Sequence, residues 1–271
     1  MTDISTAPVA LLGVPWDTHS STGPGAALGV AAIRRALADP SGNFFASTGL
    51  DVSRPEVIAD VGDVDLSDEA GAADAITAAV ARQLDAGRRV LSLGGDHAVT
   101  FPVLRAFGPR HPGLSIVHID AHPDLYDDFE GDPMSHASPF ARIMEAGLAA
   151  RLIQIGIRAD GPHLREQAGR FGVESFAAEE VDKALAILPA GPVYLSIDLD
   201  GLDPAFAPGV KHYEPGGLST REVLSVIAAI PGPLIGADIV ELCPDRDHCD
   251  MTAKLAAKLA KEIVARMWTG G

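Results

Sequence analysis

The chain has 271 residues, of which 47% are hydrophobic and 21% are charged, a globular composition that excludes a mainly disordered protein. Its 37 acidic residues outnumber its 21 basic ones and give a formal net charge of -16, which argues against binding to nucleic acid. The two cysteines, Cys243 and Cys249, exclude a disulfide scaffold and fit a reducing compartment.

Short apolar runs alternate with longer amphipathic segments along the chain. Runs that are apolar on both faces predict buried parallel strands, and apolar spacings of three and four predict helices. The predicted strands, in chain order, are 9–14, 57–59, 90–93, 115–119, 152–155, 193–197 and 234–237. The predicted helices are 25–38, 68–86, 137–146, 220–230 and 252–267. This alternation predicts a single α/β domain over residues 1–271, with a mostly parallel central sheet between two layers of helices.

Acidic and imidazole side chains follow four of the predicted strands. In a sheet of this kind, ligands bind at the carboxyl ends of the strands. The segments in question are GGDH at 94–97, DAHPD at 120–124, DLDGLDP at 198–204 and VE at 240–241. Each motif alone has an ordinary explanation, since Asp-x-Asp caps many turns and Gly-Gly-Asp-His can be a tight turn. Their coincidence at one edge of the sheet favours a functional site.

The strand-end residues predict a centre for two metal ions. Several carboxylates in one dry pocket raise each other's pKa unless cations balance them, and two divalent cations would balance four carboxylates. Two such ions about 3.5–4 Å apart form a hydrolytic centre. Oxygen-rich ligation with two imidazoles favours Mn²⁺, with Ni²⁺, Co²⁺ and Zn²⁺ as alternatives. The predicted ligands are His97, Asp120, His122, Asp124, Asp198 and Asp200.

These motifs resemble those of the ureohydrolase superfamily, the arginases and agmatinases. The matching stretches are GGDH (94–97), HIDAHPD (118–124) and SIDLDGLDPAFAPG (196–209), and the similarity runs from about residue 9 to residue 267. Within the superfamily, the sequence most resembles the plant-type arginase branch. The stretches that carry this resemblance are DAHPDLYDDFEGDPMSHASPFARIMEAG (120–147), APGVKHYEPGGLSTREVL (207–224) and GADIVELCPDRD (236–247).

The resemblance implies a role for each matched residue. It assigns His97, Asp120, Asp124 and Asp198 to one manganese, and Asp120, His122, Asp198 and Asp200 to the other. It further implies that His136 shuttles protons, that Glu241 pairs with the substrate guanidinium, that Asp124 relays a proton and that His212 lies near the substrate. We also expect Asp96 to support His97, and we give little weight to His19, in the loop after the first strand.

The resemblance implies hydrolysis of a guanidino group to urea and an amine, with L-arginine as the expected substrate. Agmatine, guanidinobutyrate, hydroxyarginine and guanidine stay as alternatives. Asp132 stands where plant-type arginases usually have Asn, and it would repel a substrate carboxylate if it pointed inward, whereas Lys211 could attract one. A non-catalytic metal-binding relative and a metal-dependent deacetylase are the alternatives of other classes.

The sequence also gives expectations about the partners and the cellular location of the protein. The family resemblance implies a homo-oligomer, a trimer or a hexamer. Neither a signal peptide nor a run of about 20 apolar residues is visible. The sequence therefore predicts a cytoplasmic protein without a membrane partner.

Overall fold

The computed structural model describes residues 7–269. Eight strands of this part of the chain form one sheet, in the order β2-β1-β3-β8-β7-β4-β5-β6. All pairings between these strands are parallel. The strands are β1 Val9–Val14, β2 Ile58–Asp63, β3 Arg89–Gly94, β4 Ser115–Ile119, β5 Arg151–Ile155, β6 Glu174–Phe176, β7 Val193–Asp198 and β8 Leu234–Val240.

Helices cover both faces of the sheet, as predicted. They are α1 Ala27–Ala38, α2 Ala72–Asp85, α3 Thr100–Phe107, α4 Pro139–Glu145, α5 Pro162–Phe171, α6 Val181–Leu185, α7 Thr220–Ala229 and α8 Met251–Thr269. One apolar core joins the sheet to α1, α6, α7 and α8, and a second joins it to α2, α3, α4 and α5. No helix in the described part of the chain is long and apolar enough to cross a membrane.

Several predicted boundaries were wrong, and four elements were missed. Helix α1 begins at Ala27 because Gly25 has φ 144° and the Asp17 carboxylate accepts hydrogen bonds from Gly25 N and Ala27 N at 2.6 and 2.9 Å. The predicted helix 137–146 begins at Pro139, which needs no partner for a backbone N–H. The missed elements are α3, α5, α6 and the three-residue strand β6.

The four strands that carry the predicted site are neighbours in the sheet. Their order is β3-β8-β7-β4. Leu93 pairs with Ile239, and Ile119 pairs with Ile197, so these strands end at the same level. The register therefore brings the residues that follow β3, β4, β7 and β8 to one edge of the sheet.

Candidate active site

His97 lies inside a buried cluster of carboxylates. Its Nδ1 atom is 3.0 Å from Asp124 Oδ2, 3.1 Å from Asp120 Oδ2 and 3.3 Å from Asp198 Oδ2. Within residues 7–269, Nδ1 is a buried atom without a hydrogen bond of acceptable geometry. Octahedral ligands about 2.1 Å from a cation lie about 3 Å from one another. The three carboxylate oxygens therefore lie at the distance from Nδ1 that neighbouring ligands of one divalent cation would have.

A second group of ligand atoms shares Asp120 with the first. His122 Nδ1 lies 3.3 Å from Asp120 Oδ1 and 3.3 Å from Asp200 Oδ2. The Asp120 carboxylate thus turns Oδ2 toward His97 and Oδ1 toward His122. Asp120, His122 and Asp200 form one of the groups whose ligand atoms all lie within 4.8 Å of one another. A carboxylate shared in this way is suited to bridging two cations.

The hydrogen bonds of His97 fix which of its nitrogens can bind a cation. The Ser196 hydroxyl donates to Asp238 Oδ1 at 2.6 Å, because a carboxylate can only accept. Ser196 Oγ must then accept from His97 Nε2, which lies 2.9 Å away. In neutral His97 the free lone pair is consequently on Nδ1, where it faces three anionic oxygens. Such an arrangement is unfavourable without a positive charge between them.

The raised pKa values of two buried aspartates also indicate that a positive charge is needed to keep these carboxylates ionised. Burial raises the pKa of Asp198 well above its ordinary value, and the charges of Asp200 and Asp120 raise it further. Burial and the charge of Asp120 raise the pKa of Asp200 to about 7. Bound divalent cations would lower these pKa values, since they stabilise the ionised carboxylates. On charge and on geometry, the residues present fit a binuclear metal centre.

Asp238, within strand β8, positions the Ser196 hydroxyl through a hydrogen bond. Its Oδ2 accepts hydrogen bonds from Tyr194 OH at 2.7 Å and Thr100 Oγ1 at 2.9 Å, and its own carboxylate is fully buried. The chain of contacts from Asp238 through Ser196 to His97 orients the imidazole. Asp96 acts on His97 through the backbone, because its carboxylate accepts from Ala98 N and caps the 3₁₀ turn His97–Val99; it also accepts from His19 N.

Sequence reasoning also missed His118, which is fully buried beneath Asp120. The Gln154 amide lies 3.1 Å from His118 Nδ1, and Ser175 donates to the amide oxygen of Gln154, so the amide nitrogen donates to Nδ1. His118 Nε2–H is then free to donate to Asp120 Oδ2 at 2.8 Å. Burial lowers the pKa of His118 and favours this neutral form. The signal was present in the sequence, since His118, Asp120 and His122 share a spacing of two.

Glu241 has one engaged oxygen and one free oxygen. Its Oε1 accepts from His97 N at 3.0 Å and lies 3.3 Å from His136 Nδ1. Its Oε2 is buried and has no hydrogen-bond partner within residues 7–269. Glu241 has φ 64° and Asp124 has φ 51°. This left-handed conformation is costly for residues other than glycine, and it concentrates at functional sites.

A cavity of about 190 Å³ opens over the carboxylate cluster. Its walls include Ser21, which lies 3.0 Å through Oγ from His136 Nε2, and His212, whose ring stacks on His136 with centroids 5.3 Å apart. His212 therefore lies on the wall of the cavity beside His136. The full lining is Ser21, His122, Asp124, Tyr126, Phe129, His136, Ala137, Ala159, Leu164, Asp198, Asp200 and His212.

Asp132 and Lys211 do not line this cavity. Asp132 Oδ2 lies 2.6 Å from His19 Nδ1, and Oδ1 accepts from Met134 N at 2.8 Å. The Lys211 ammonium donates to the carbonyl oxygens of Gly23 and Pro24. Both side chains are thus engaged with residues that do not line the cavity.

Comparisons with known proteins decide the family. The model of the arginase family matches residues 7–265. The chain is 44% identical over 275 residues to a mitochondrial arginase of Medicago truncatula, covering 95% of this chain and 81% of that protein. The solved structure of an arginase from Medicago truncatula superposes with a TM-score of 0.91 at 43% identity, covering 97% of this chain and 88% of the other. The chain belongs to the arginase family. It is an enzyme of the hydrolase class that acts on guanidino or amidino substrates.

Agmatinases are more distant members of the same family. The chain is 35% identical over 265 residues to an agmatinase of Bacillus anthracis, covering 94% of this chain and 90% of that protein. The identity to plant arginases is higher, and the prediction of an arginase-type hydrolase is thereby confirmed.

The prediction of a cytoplasmic location is contradicted by the relatives. The Medicago truncatula arginase is named as mitochondrial, and an Arabidopsis thaliana arginase that is 44% identical over 278 residues is named as chloroplastic or mitochondrial, with 96% of this chain and 81% of that protein covered. A cellular address is carried by a targeting segment separate from the catalytic fold, so the composition of the fold does not reveal it. We withdraw the prediction.

Proposed function

We propose that this protein is an arginase, which hydrolyses L-arginine to L-ornithine and urea at a binuclear manganese centre within a single catalytic domain. The observation that carries the proposal is the juxtaposition of the ligand cluster around His97 with the unpartnered Oε2 of Glu241. The identity to the arginases of Medicago truncatula and Arabidopsis thaliana supports the choice of arginine.

The metal ions would be held by the cluster described above. His97, Asp120, Asp124 and Asp198 would bind one ion, and Asp120, His122, Asp198 and Asp200 the other. Bound divalent cations lower the pKa of a water so that hydroxide is available near neutral pH. The ligand set has imidazole and carboxylate groups and no thiolate, which favours Mn²⁺.

Glu241 would bind and orient the substrate guanidinium. Its oxygens are buried, and one of them is already fixed by His97 N at 3.0 Å. The free oxygen accepts an N–H of the guanidinium, because a carboxylate and a guanidinium form strong charge-assisted hydrogen bonds. In this role the contact would hold the guanidinium beside the carboxylate cluster, to which Glu241 is linked through His97 N.

His136 would supply the proton that the leaving amine needs. Its pKa is lowered by burial but raised more by the hydrogen bond and charge of Glu241, to about 9. The ring is therefore protonated near neutral pH, and it lies on the wall of the cavity. Asp124, which also lines the cavity, would relay a proton toward the amine.

Agmatine is the second candidate substrate, and one observation favours it. The cavity lining contains no Lys or Arg to pair with the α-carboxylate of arginine, so that group would rely on neutral donors and imidazoles. The prediction of a trimer or hexamer stays a prediction, which light scattering of the purified protein would test.

The test is urea release by protein loaded with Mn²⁺, with L-arginine and agmatine at matched concentrations. A higher kcat/KM for arginine supports the proposal. A higher value for agmatine would identify agmatine as the substrate and leave the proposed hydrolytic centre intact. No urea from either compound, with two metal ions bound per chain, overturns the proposed reaction.

A further inference from the structure

His19 joins two segments that form the mouth of the candidate active site. Its Nδ1 lies 2.6 Å from Asp132 Oδ2, across 113 positions of the sequence. One segment continues to Ser21 and the other contains Phe129, and both residues line the cavity. Asp132 is tied to Phe129 by backbone hydrogen bonds of 3.0 and 3.2 Å. The pair therefore lies one step behind the cavity wall.

The backbone of His19 is fixed from both sides. Its N–H donates to Asp96 Oδ2 at 3.1 Å, and its carbonyl accepts from His136 N at 3.2 Å. The ring packs edge-on against Trp16, with centroids 4.7 Å apart. These contacts direct the imidazole at Asp132 and leave it 23% exposed. His19 is therefore held in place as the partner of Asp132.

Lys211 and Arg158, which precede the cavity-lining residues His212 and Ala159 in sequence, are engaged elsewhere. The ammonium of Lys211 is directed at the carbonyl oxygens of Gly23 and Pro24. Arg158 donates to backbone carbonyls, among them Asp200 O at 2.7 Å and Glu214 O at 2.8 Å. Without His19, the Asp132 side chain, which is 41% exposed, would lose the hydrogen bond that directs its Oδ2 and would be free to turn its negative charge toward the cavity.

We propose that His19 is a specificity-determining positioning residue, which holds the Asp132 carboxylate away from the cavity so that a substrate bearing an α-carboxylate is accepted. This inference rests on the proposed function. L-Arginine carries an α-carboxylate, whereas agmatine carries only its ammonium and guanidinium groups. An Asp132 carboxylate released toward the cavity would repel the first and attract the second, because like charges repel and unlike charges attract.

The experiment compares wild type, H19N, D132N and H19N/D132N, each loaded with Mn²⁺. For each protein, kcat and KM are measured for L-arginine and for agmatine; where agmatine turns over too slowly, its inhibition constant against arginine takes its place. In H19N we expect the preference for arginine over agmatine to fall roughly two- to fivefold, the range for the interaction of a partly exposed charge, mainly through KM. In the D132N background, replacing His19 with Asn should leave the ratio of kcat/KM for arginine to kcat/KM for agmatine unchanged.

A purely structural role for His19 predicts a different pattern. In that case H19N and H19N/D132N would lose activity on both substrates equally, with KM ratios unchanged, and the inference would be overturned. Thermal denaturation and metal content are measured for each protein, and H19Q serves where H19N does not fold. If wild type releases urea from neither substrate, the proposed function fails; if it is active and the ratio does not move, only the inference about His19 fails.

Discussion

Replacing Glu241 with glutamine tests the central contact of the proposed reaction. The amide keeps an oxygen for the His97 N–H, which lies 3.0 Å from Oε1, and the side chain keeps its size. What is lost is the negative charge that a guanidinium would face at the buried Oε2. Removing one partner of a buried, hydrogen-bonded charge pair costs about 2–5 kcal/mol. At about 1.4 kcal/mol per factor of ten, kcat/KM for L-arginine should fall roughly 30-fold to several thousand-fold.

Glu214→Gln is the matched control for this variant. Glu214 Oε1 lies 3.9 Å from His122 Nε2 at the edge of the site, and its side chain is 40% exposed. The loss of such an exposed charge is worth no more than about 1 kcal/mol, or a fivefold change. Urea release is measured for both variants at matched metal content. If Glu241→Gln lowers kcat/KM no more than Glu214→Gln does, the assignment of Glu241 to the guanidinium is wrong.

Three further predictions concern proton transfer, metal binding and packing. The pKa of His136 is raised from 6.5 to about 9, so its protonated form and the stabilisation it brings are complete below pH 6.5 and are lost as the pH rises through about 9. We expect kcat to fall on that alkaline limb, and a pH profile of His136→Asn should lack it. Asp238→Ala removes the acceptor that orients His97 through a serine hydroxyl, so calorimetric titration with Mn²⁺ should show affinity weakened about 10- to 100-fold. In Gly29→Ala the new Cβ would lie 2.4 Å from Leu242 O, and chemical denaturation should show a loss of about 1–3 kcal/mol; an unchanged midpoint would contradict the packing described.

The alternation of apolar and amphipathic segments was enough to predict the layered parallel sheet. Strands such as Val9–Val14 and Val193–Asp198 are buried along their whole length, so their hydrophobicity is unbroken in the sequence. Helix Thr100–Phe107 was missed because it follows the Gly-Gly-Asp-His turn through only a short 3₁₀ turn at His97–Val99. Its Pro102 also suggests a loop, although proline is tolerated in the first turn of a helix.

The site residues that directly follow a strand could be predicted from the sequence. The residues that orient them from within the strands could not. The structure brings together the six predicted ligands, and their assignment to two metal ions stays a prediction. Ser196 and Asp238 lie within strands and pair across them at the same level. A polar residue in an apolar run shows neither which face it occupies nor which residue lies opposite. Only the order β3-β8-β7 reveals that Asp238 lies beneath His97.

That strand order has a consequence for how the chain is made. Strand β8 Leu234–Val240 is the last to be synthesised, yet it lies between β3 and β7. Until it emerges from the ribosome, the nascent chain holds two partial sheets, each with an open apolar edge prone to aggregation. Glu241, which directly follows β8, reaches the other site residues only when the two partial sheets are joined. The active site can therefore assemble only after translation has passed residue 241, so chains truncated before residue 234 would be inert.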